Sequence, residues 1–119
     1  MATDQPAAAV IRRPWGWFQT LGSDHGYLVK RLCIHRGHRL SLQRHQHRLE
    51  HWVVVAGRGL LECNGSQIPA AAGTTLLVPC GALHRASATD QDLVLVEVQR
   101  GAWLSEDDIE RVQDDYQRC

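Results

Sequence analysis

The chain has 119 residues, 44% of them hydrophobic, and its thirteen basic and thirteen acidic side chains balance to a formal net charge of zero. That length and composition describe one globular domain. No apolar run approaches the ~20 residues that a membrane-spanning helix needs, and no basic stripe of the kind nucleic acid demands is present. The charge is unevenly placed: residues 105–119 hold six acids against two arginines, whereas residues 1–104 hold eleven basic against seven acidic side chains and all seven histidines. A mildly basic body of this kind suits an anionic small molecule. Cys33, Cys63, Cys80 and Cys119 form no C-x-x-C pair, and residues 1–13 lack the charged-then-apolar layout of a secretory leader. Free thiols in a reducing cytoplasm are therefore expected.

Residues 1–11 are alanine-rich and little patterned, which predicts a flexible arm ahead of a single domain over 12–119. Pro14 and Gly16 make the aromatic stretch Arg13–Phe18 extended or turned, with Trp15 and Trp17 in packing roles. Residues 21–26 read as a turn-rich loop. Strands are then predicted for Tyr27–His35, Leu40–His47, His51–Ala56, Leu60–Cys63, a run from Gln67, Thr74–Val78, Leu83–Ala86 and Leu93–Gln99. Asn64-Gly65 marks a tight hairpin between two of them. About eight short strands in succession, separated by glycine or proline turns, indicate an all-β sandwich or barrel. The ending reads differently. Ser105-Glu106-Asp107-Asp108 resembles a capped helix start, and Ile109, Val112 and Tyr116 form a stripe, so a short C-terminal helix over about 105–117 is predicted.

The stretch Gln43–Trp52 carries the chemistry. His45, His47, Glu50 and His51 fall within seven residues. In a strand, alternation puts Ser41, Gln43, His45 and His47 on one face and Leu40, Leu42 and Arg44 on the other. Two histidines at i and i+2 can point at one ion. A second patch answers the first: Gly73, Pro79, Gly81 and His84 are spaced so that a tight turn aims His84.

Together these two patches resemble the paired motifs of cupins, whose fold is a double-stranded β-helix, or jelly-roll barrel. The resemblance implies a metal held by His45, His47, Glu50 and His84. The spacing from Glu50 to Gly57 fits the motif, and His51 is one residue out of step. The asparagine that often follows the last histidine is Ala88 here. Imidazole with carboxylate suits one divalent ion among Zn²⁺, Mn²⁺, Co²⁺, Fe²⁺ and Ni²⁺. The likeness extends further, through Arg13–Gly16, Lys30–Leu32, Leu40–His45, Glu50–Val55, Glu97–Gly101 and Glu106–Ile109. These segments look like the cupin domain of type II mannose-6-phosphate isomerases, which in many members follows a mannose-1-phosphate guanylyltransferase domain.

That resemblance implies interconversion of mannose 6-phosphate and fructose 6-phosphate. Such a reaction needs a base, an electrophile and a phosphate anchor. Glu97, on an apolar strand face with Leu93, Leu95 and Gln99, is the first candidate base, and His51 the second. Gln43, Arg48, Arg85 and Lys30 are the candidate substrate contacts, with Gln43 also a possible extra metal ligand. The expected partners are a phosphorylated hexose and a second copy in a homodimer. Two other readings stay open: a non-catalytic cupin that binds metal and sugar phosphate beside a separate guanylyltransferase, and a metal-dependent oxygenase.

Overall fold

The computed structural model describes residues 8–118. Most of the alanine-rich arm, and Cys119, lie outside the described residues. The chain folds into eleven strands: β1 (Ile11–Arg13), β2 (Gly16–Asp24), β3 (Tyr27–Ile34), β4 (Leu42–Arg44), β5 (Leu49–Ala56), β6 (Gly59–Cys63), β7 (Ser66–Ala70), β8 (Thr75–Val78), β9 (His84–Ala88), β10 (Leu93–Arg100) and β11 (Glu110–Gln113). They form a six-stranded sheet ordered β1-β2-β3-β10-β5-β8 and a five-stranded sheet ordered β11-β4-β9-β6-β7, with every pairing antiparallel. The two sheets face each other as a jelly roll, as expected. Among the described residues there is no helix, and so none long and apolar enough to cross a membrane.

Strand alternation builds the interior. In β10, Leu93, Leu95, Glu97 and Gln99 are buried while the residues between them are half-buried. In β5 the inward positions are Glu50, Trp52 and Val54, and Val53 and Val55 are exposed. One end of the barrel is apolar: Ile34, Leu61, Ala86, Leu93 and Leu95 are almost completely buried there. The inward positions of β5 and β10 turn polar toward the other end, and that change of character positions the site.

Three predicted elements differ from the structure. Residues 21–26 are not a loop, because β2 runs to Asp24 and pairs with β3 down to Asp24↔Tyr27. The register shifts between Thr20 and Gly22, and this bulge breaks the period that would have revealed the strand. The strand predicted over Leu40–His47 is regular only over Leu42–Arg44. Beyond Arg44 the amides of Gln46 and His47 donate to the Asp108 carboxylate, at 2.9 Å each, so the chain bends out of the sheet. The helix predicted over 105–117 is a turn followed by β11, which pairs with β4 through Glu110↔Arg44 and Arg111↔Gln43. Two of its supposed capping acids are used elsewhere: Glu106 pairs with Lys30, and Asp108 accepts from the Gln46 and His47 amides. A free edge of β4 offered this segment a ladder, and the pairing outweighs the weak helical stripe.

Gly57 adopts φ 89°, and a Cβ there would overlap the carbonyl of Asp92. Only glycine permits this approach of the β5–β6 turn to the start of β10. Replacing it, Gly57→Ala, is expected to cost roughly 2–4 kcal/mol in urea unfolding. Gly65→Ala, at a hairpin position with open space around it, is expected to cost less than half as much.

Candidate functional site

At the polar end of the barrel His45, Glu50 and His84 converge, and all three are buried. His45 follows β4, Glu50 is the first inward residue of β5, and His84 opens β9 behind the Pro79–Gly81 turn. His45 Nε2 lies 3.2 Å from Glu50 Oε2, and His84 Nε2 lies 3.6 Å from Glu50 Oε1. Each imidazole is oriented from behind. His45 Nδ1–H donates to the Asp108 carbonyl at 2.6 Å, and His84 Nδ1–H donates to the Ala82 carbonyl at 2.8 Å. Both rings are thereby held with Nε2 as a lone pair facing Glu50. Burial, helped by the Arg48 charge, pushes His45 down to about 4, and burial also lowers His84. Both are neutral at physiological pH, which is the form that binds metal.

His84 Nε2 is buried with no hydrogen-bond partner. An orphaned lone pair, a second one beside it and a carboxylate between them fit a borderline divalent ion. Arg48 bears on that fit. Its Nε donates to Glu50 Oε2 at 2.9 Å, and its Nη2 lies 3.3 Å from His45 Nε2. The guanidinium thus supplies positive charge from the open side of the cluster, and an ion taking His45 and Glu50 must displace part of that contact.

A second buried carboxylate adjoins the first. The Trp52 indole N–H is shared between Glu50 Oε1 and Glu97 Oε1, at 3.0 Å each, and Gln99 Nε2 donates to Glu97 Oε2 at 2.8 Å. Burial, and next the charge of Glu50, push Glu97 up to about 7, against the pull of Lys30 and the Gln99 bond. A carboxyl poised there exchanges protons readily at neutral pH.

A cavity of about 60 Å³ opens above this cluster, and its lining includes Gln43, His45, Arg48, Lys30 and Glu97. The Gln43 amide reaches to 3.5 Å from His45 Nε2. The structure does not bring the remaining expected residues here. His47 leaves the strand at the Asp108 bend and is exposed, its ring edge-on to Trp103 with centroids 5.0 Å apart. Of the four expected ligands, the structure brings together His45, Glu50 and His84 and leaves His47 apart. His51 is the neighbour of Glu50 on β5, so alternation turns it to the outer face with Val53 and Val55. It cannot serve as the interior base. Arg85, beside His84, likewise faces away from the cavity and donates from Nε to the Leu40 carbonyl at 3.1 Å.

Other cavity residues were not anticipated. Arg13, Glu106, Arg111 and Arg118 also line it. Lys30 is ion-paired with Glu106, and Arg118 is clamped to Asp114 by bonds of 2.7 and 3.0 Å. Arg111 Nε is buried without a partner. The residues from the tail were hidden by the helix expectation. Read as a strand, the tail would have put Ile109, Arg111 and Gln113 on one face.

The raised pKa of Glu97 has a measurable consequence for stability. Between the ordinary carboxylate value of 4.5 and about 7 the folded protein holds a proton that the unfolded chain has released, so stability falls as pH rises through that window. In chelator-treated protein, Glu97→Gln is expected to remove this slope. It should gain on the order of 3 kcal/mol relative to the parent at pH 8 compared with pH 4, read by denaturant melts across that range. Parallel melts of the two proteins would refute it.

Known proteins were compared with this chain. The sequence profile of the family described as "Mannose-6-phosphate isomerase C-terminal" matches residues 3–114. The alginate biosynthesis protein AlgA of Pseudomonas aeruginosa is 38% identical over 91% of this chain and 23% of its own length. The mannose-1-phosphate guanylyltransferase ManC of Salmonella typhimurium has the same identity and coverage. The chain thus spans about a quarter of the curated relatives it matches. Among solved structures, the capsular polysaccharide assembling protein CapF from Staphylococcus aureus superposes with a TM-score of 0.74 at 17% identity, over 93% of this chain and 33% of that one. An RmlC-like cupin from Shewanella frigidimarina gives 0.73 at 19%, over 84% and 87%. With a jelly roll that these cupins share and a profile matching nearly its whole length, the chain belongs to the mannose-6-phosphate isomerase C-terminal family.

Proposed function

We propose that this cupin is an aldose–ketose isomerase that interconverts mannose 6-phosphate and fructose 6-phosphate, in the service of nucleotide-sugar and polysaccharide synthesis. The observation that carries the reading is the setting of Glu97: a buried carboxyl beside Glu50, bonded by Trp52 and Gln99, in a cavity that Arg13, Lys30, Arg48 and Arg111 also line. The family membership and the polysaccharide role in the relatives' names support the substrate class.

His45, Glu50 and His84 would hold the divalent ion, with the Gln43 amide oxygen within reach as a fourth donor after rotation. Bound there, the ion would act as a Lewis acid toward the sugar's C1 and C2 oxygens. The chain's own groups do the rest. Ionised Glu97 takes the proton from C2 of the aldose and returns it to C1 while the hydroxyl proton passes from O2 to O1, which takes the sugar through a cis-enediol. The Trp52 indole and the Gln99 amide hold both Glu97 oxygens, so the carboxylate keeps one orientation through the transfer. The cations at the rim take the phosphate, for which the planar fork of Arg111 or Arg13 is well shaped.

The cavity is too small for a hexose phosphate while the segment bearing Glu106, Ile109 and Arg111 lies across it. Entry requires this segment to lift. The Lys30–Glu106 pair and the 3.1 Å bond from Arg48 Nη1 to the Ser105 carbonyl are the contacts that must open. Opening frees Lys30 and Arg48 to meet the phosphate.

A coupled assay for fructose 6-phosphate, run on chelator-stripped protein with and without each added divalent metal, tests the proposal. Metal-dependent turnover is expected. Binding of the sugar phosphate without turnover would instead favour a non-catalytic sugar-phosphate module. Glu97→Gln is expected to lower kcat by 10²–10⁴-fold with the protein still folded. Glu106→Gln, which releases Lys30, should lower KM severalfold and leave kcat within about twofold. An unchanged or raised KM would sink the lifting-segment account.

A further inference from the structure

A second group of metal-ligating side chains lies outside the barrel, where the proposed isomerase chemistry has no use for it. Cys33 is on β3 and His35 is the first residue beyond it, so the two share the outer face at i and i+2. Asp92 precedes β10, and the β3–β10 ladder, through Leu93↔Ile34 and Val94↔Cys33, carries it across to His35. The Cys33, His35 and Asp92 donor atoms all lie within 4.8 Å of one another. From one oxygen, Asp92 Oδ2, Cys33 Sγ is 3.9 Å away and His35 Nδ1 is 3.7 Å away. Ligands about 2.0–2.3 Å from a tetrahedral Zn²⁺ stand roughly 3.3–3.6 Å apart, so the two contacts of Asp92 need to close by only a few tenths of an ångström.

The carboxylate is aimed. Asp92 Oδ1 accepts the Arg36 amide at 2.8 Å, which turns Oδ2 toward the thiol and the imidazole. The backbone on both sides is fixed: His35 N donates to the Trp15 carbonyl, His38 N donates to the His35 carbonyl, and Gly57 packs against the carbonyl of Asp92. A hydrogen-bonded ligand on a braced backbone is how metal sites are held in shape. A nucleophilic cysteine is the competing reading, and the geometry opposes it. In such a site the histidine stands between the thiol and the carboxylate, whereas here thiol and imidazole converge on one carboxylate oxygen. Burial, and next the Asp92 charge, raise the thiol's pKa, which suppresses reactivity until a cation arrives.

We infer that Cys33, His35 and Asp92 form a second divalent-metal site of the Zn²⁺ type, separate from the barrel interior. The thiolate, imidazole and carboxylate select a borderline-soft ion over Mg²⁺ or Ca²⁺. Half-buried His35 and exposed Asp92 leave its fourth position open to water. A bound ion would tie the end of β3 to the start of β10.

Sulfur separates the two sites experimentally. The interior cluster contains none, so of the two sites only the outer one can produce a thiolate-to-cobalt charge-transfer band, and Cys33→Ser separates that band from any due to Cys63, Cys80 or Cys119. The full-length chain, reduced and stripped of metal, is titrated with Co²⁺ and followed in the near ultraviolet. The parent is expected to develop the band, saturating at one thiolate-bound Co²⁺ per chain whether or not the interior site has filled first, and to lose it when Zn²⁺ is added. Cys33→Ser should abolish it. His35→Ala, a change at a half-exposed side chain that leaves the core intact, should weaken the apparent Co²⁺ affinity at least tenfold. Absence of the band in the parent, its full retention in Cys33→Ser, or an unchanged affinity in His35→Ala would each overturn the assignment.

Discussion

Two carboxylates, Glu50 and Glu97, are buried within reach of one indole N–H, and much of the barrel's polar end exists to make that tolerable. Unpaired, each charge would cost several kcal/mol or be neutralised by a proton. Glu50 is met by Arg48 and by Trp52, and it faces the two imidazoles. Glu97 is met by Trp52 and Gln99, and it takes the other solution by holding its proton up to about 7. The inward positions of β5 and β10 change from aliphatic to charged within a few residues. That change divides the molecule into a half that supplies the core and a half that supplies chemistry.

The cationic side chains are spent in the same way. Lys30 rests over the Phe18 ring, 4.2 Å from its centroid, and pairs with Glu106. Arg118 is clamped to Asp114, and the hydrogen bonds of that clamp hold Asp114 down to about 2. Arg111 alone among the tail cations leaves a buried nitrogen unpartnered. Lys30 and Arg48 are both tied to the segment that carries Ser105 and Glu106, and Arg48 also to Glu50 on β5.

Much of this was legible in the sequence, and the parts that were not share a cause. Short β-branched runs between glycine and proline turns identified the sheets, and Asn64-Gly65 identified its hairpin because those residues accept positive φ, here 49° and 84°. Glu97 could be placed inward because β10 keeps strict alternation over its whole length. His47 could not be placed correctly, since alternation was extended three residues beyond the point where β4 ends at Arg44. What ends the strand is the carboxylate of Asp108, about sixty residues away in sequence, and no local pattern announces it. The same remoteness hid the tail. Glu106 and Asp108 look like helix-capping acids locally, but their partners, Lys30 and the amides of Gln46 and His47, are brought near only by the fold. Arg85 and His51 lie apart from the cluster for a simpler reason: each is adjacent in sequence to one of its members, and adjacency on a strand means opposite faces.

Asp108 also bears on when the site comes into being. Its carbonyl sets the tautomer of His45, and its carboxylate turns the chain at Gln46 and His47, across separations of 61 to 63 residues. Contacts of such span form late, because loop closure must come before any energetic return. The β3–β10 pairing that builds the aliphatic end has a comparable span, through Leu93↔Ile34 and Leu95↔Leu32, whereas the β2–β3 and β6–β7 hairpins are local. The His45 imidazole therefore acquires its orientation only once Asp108 has docked against it.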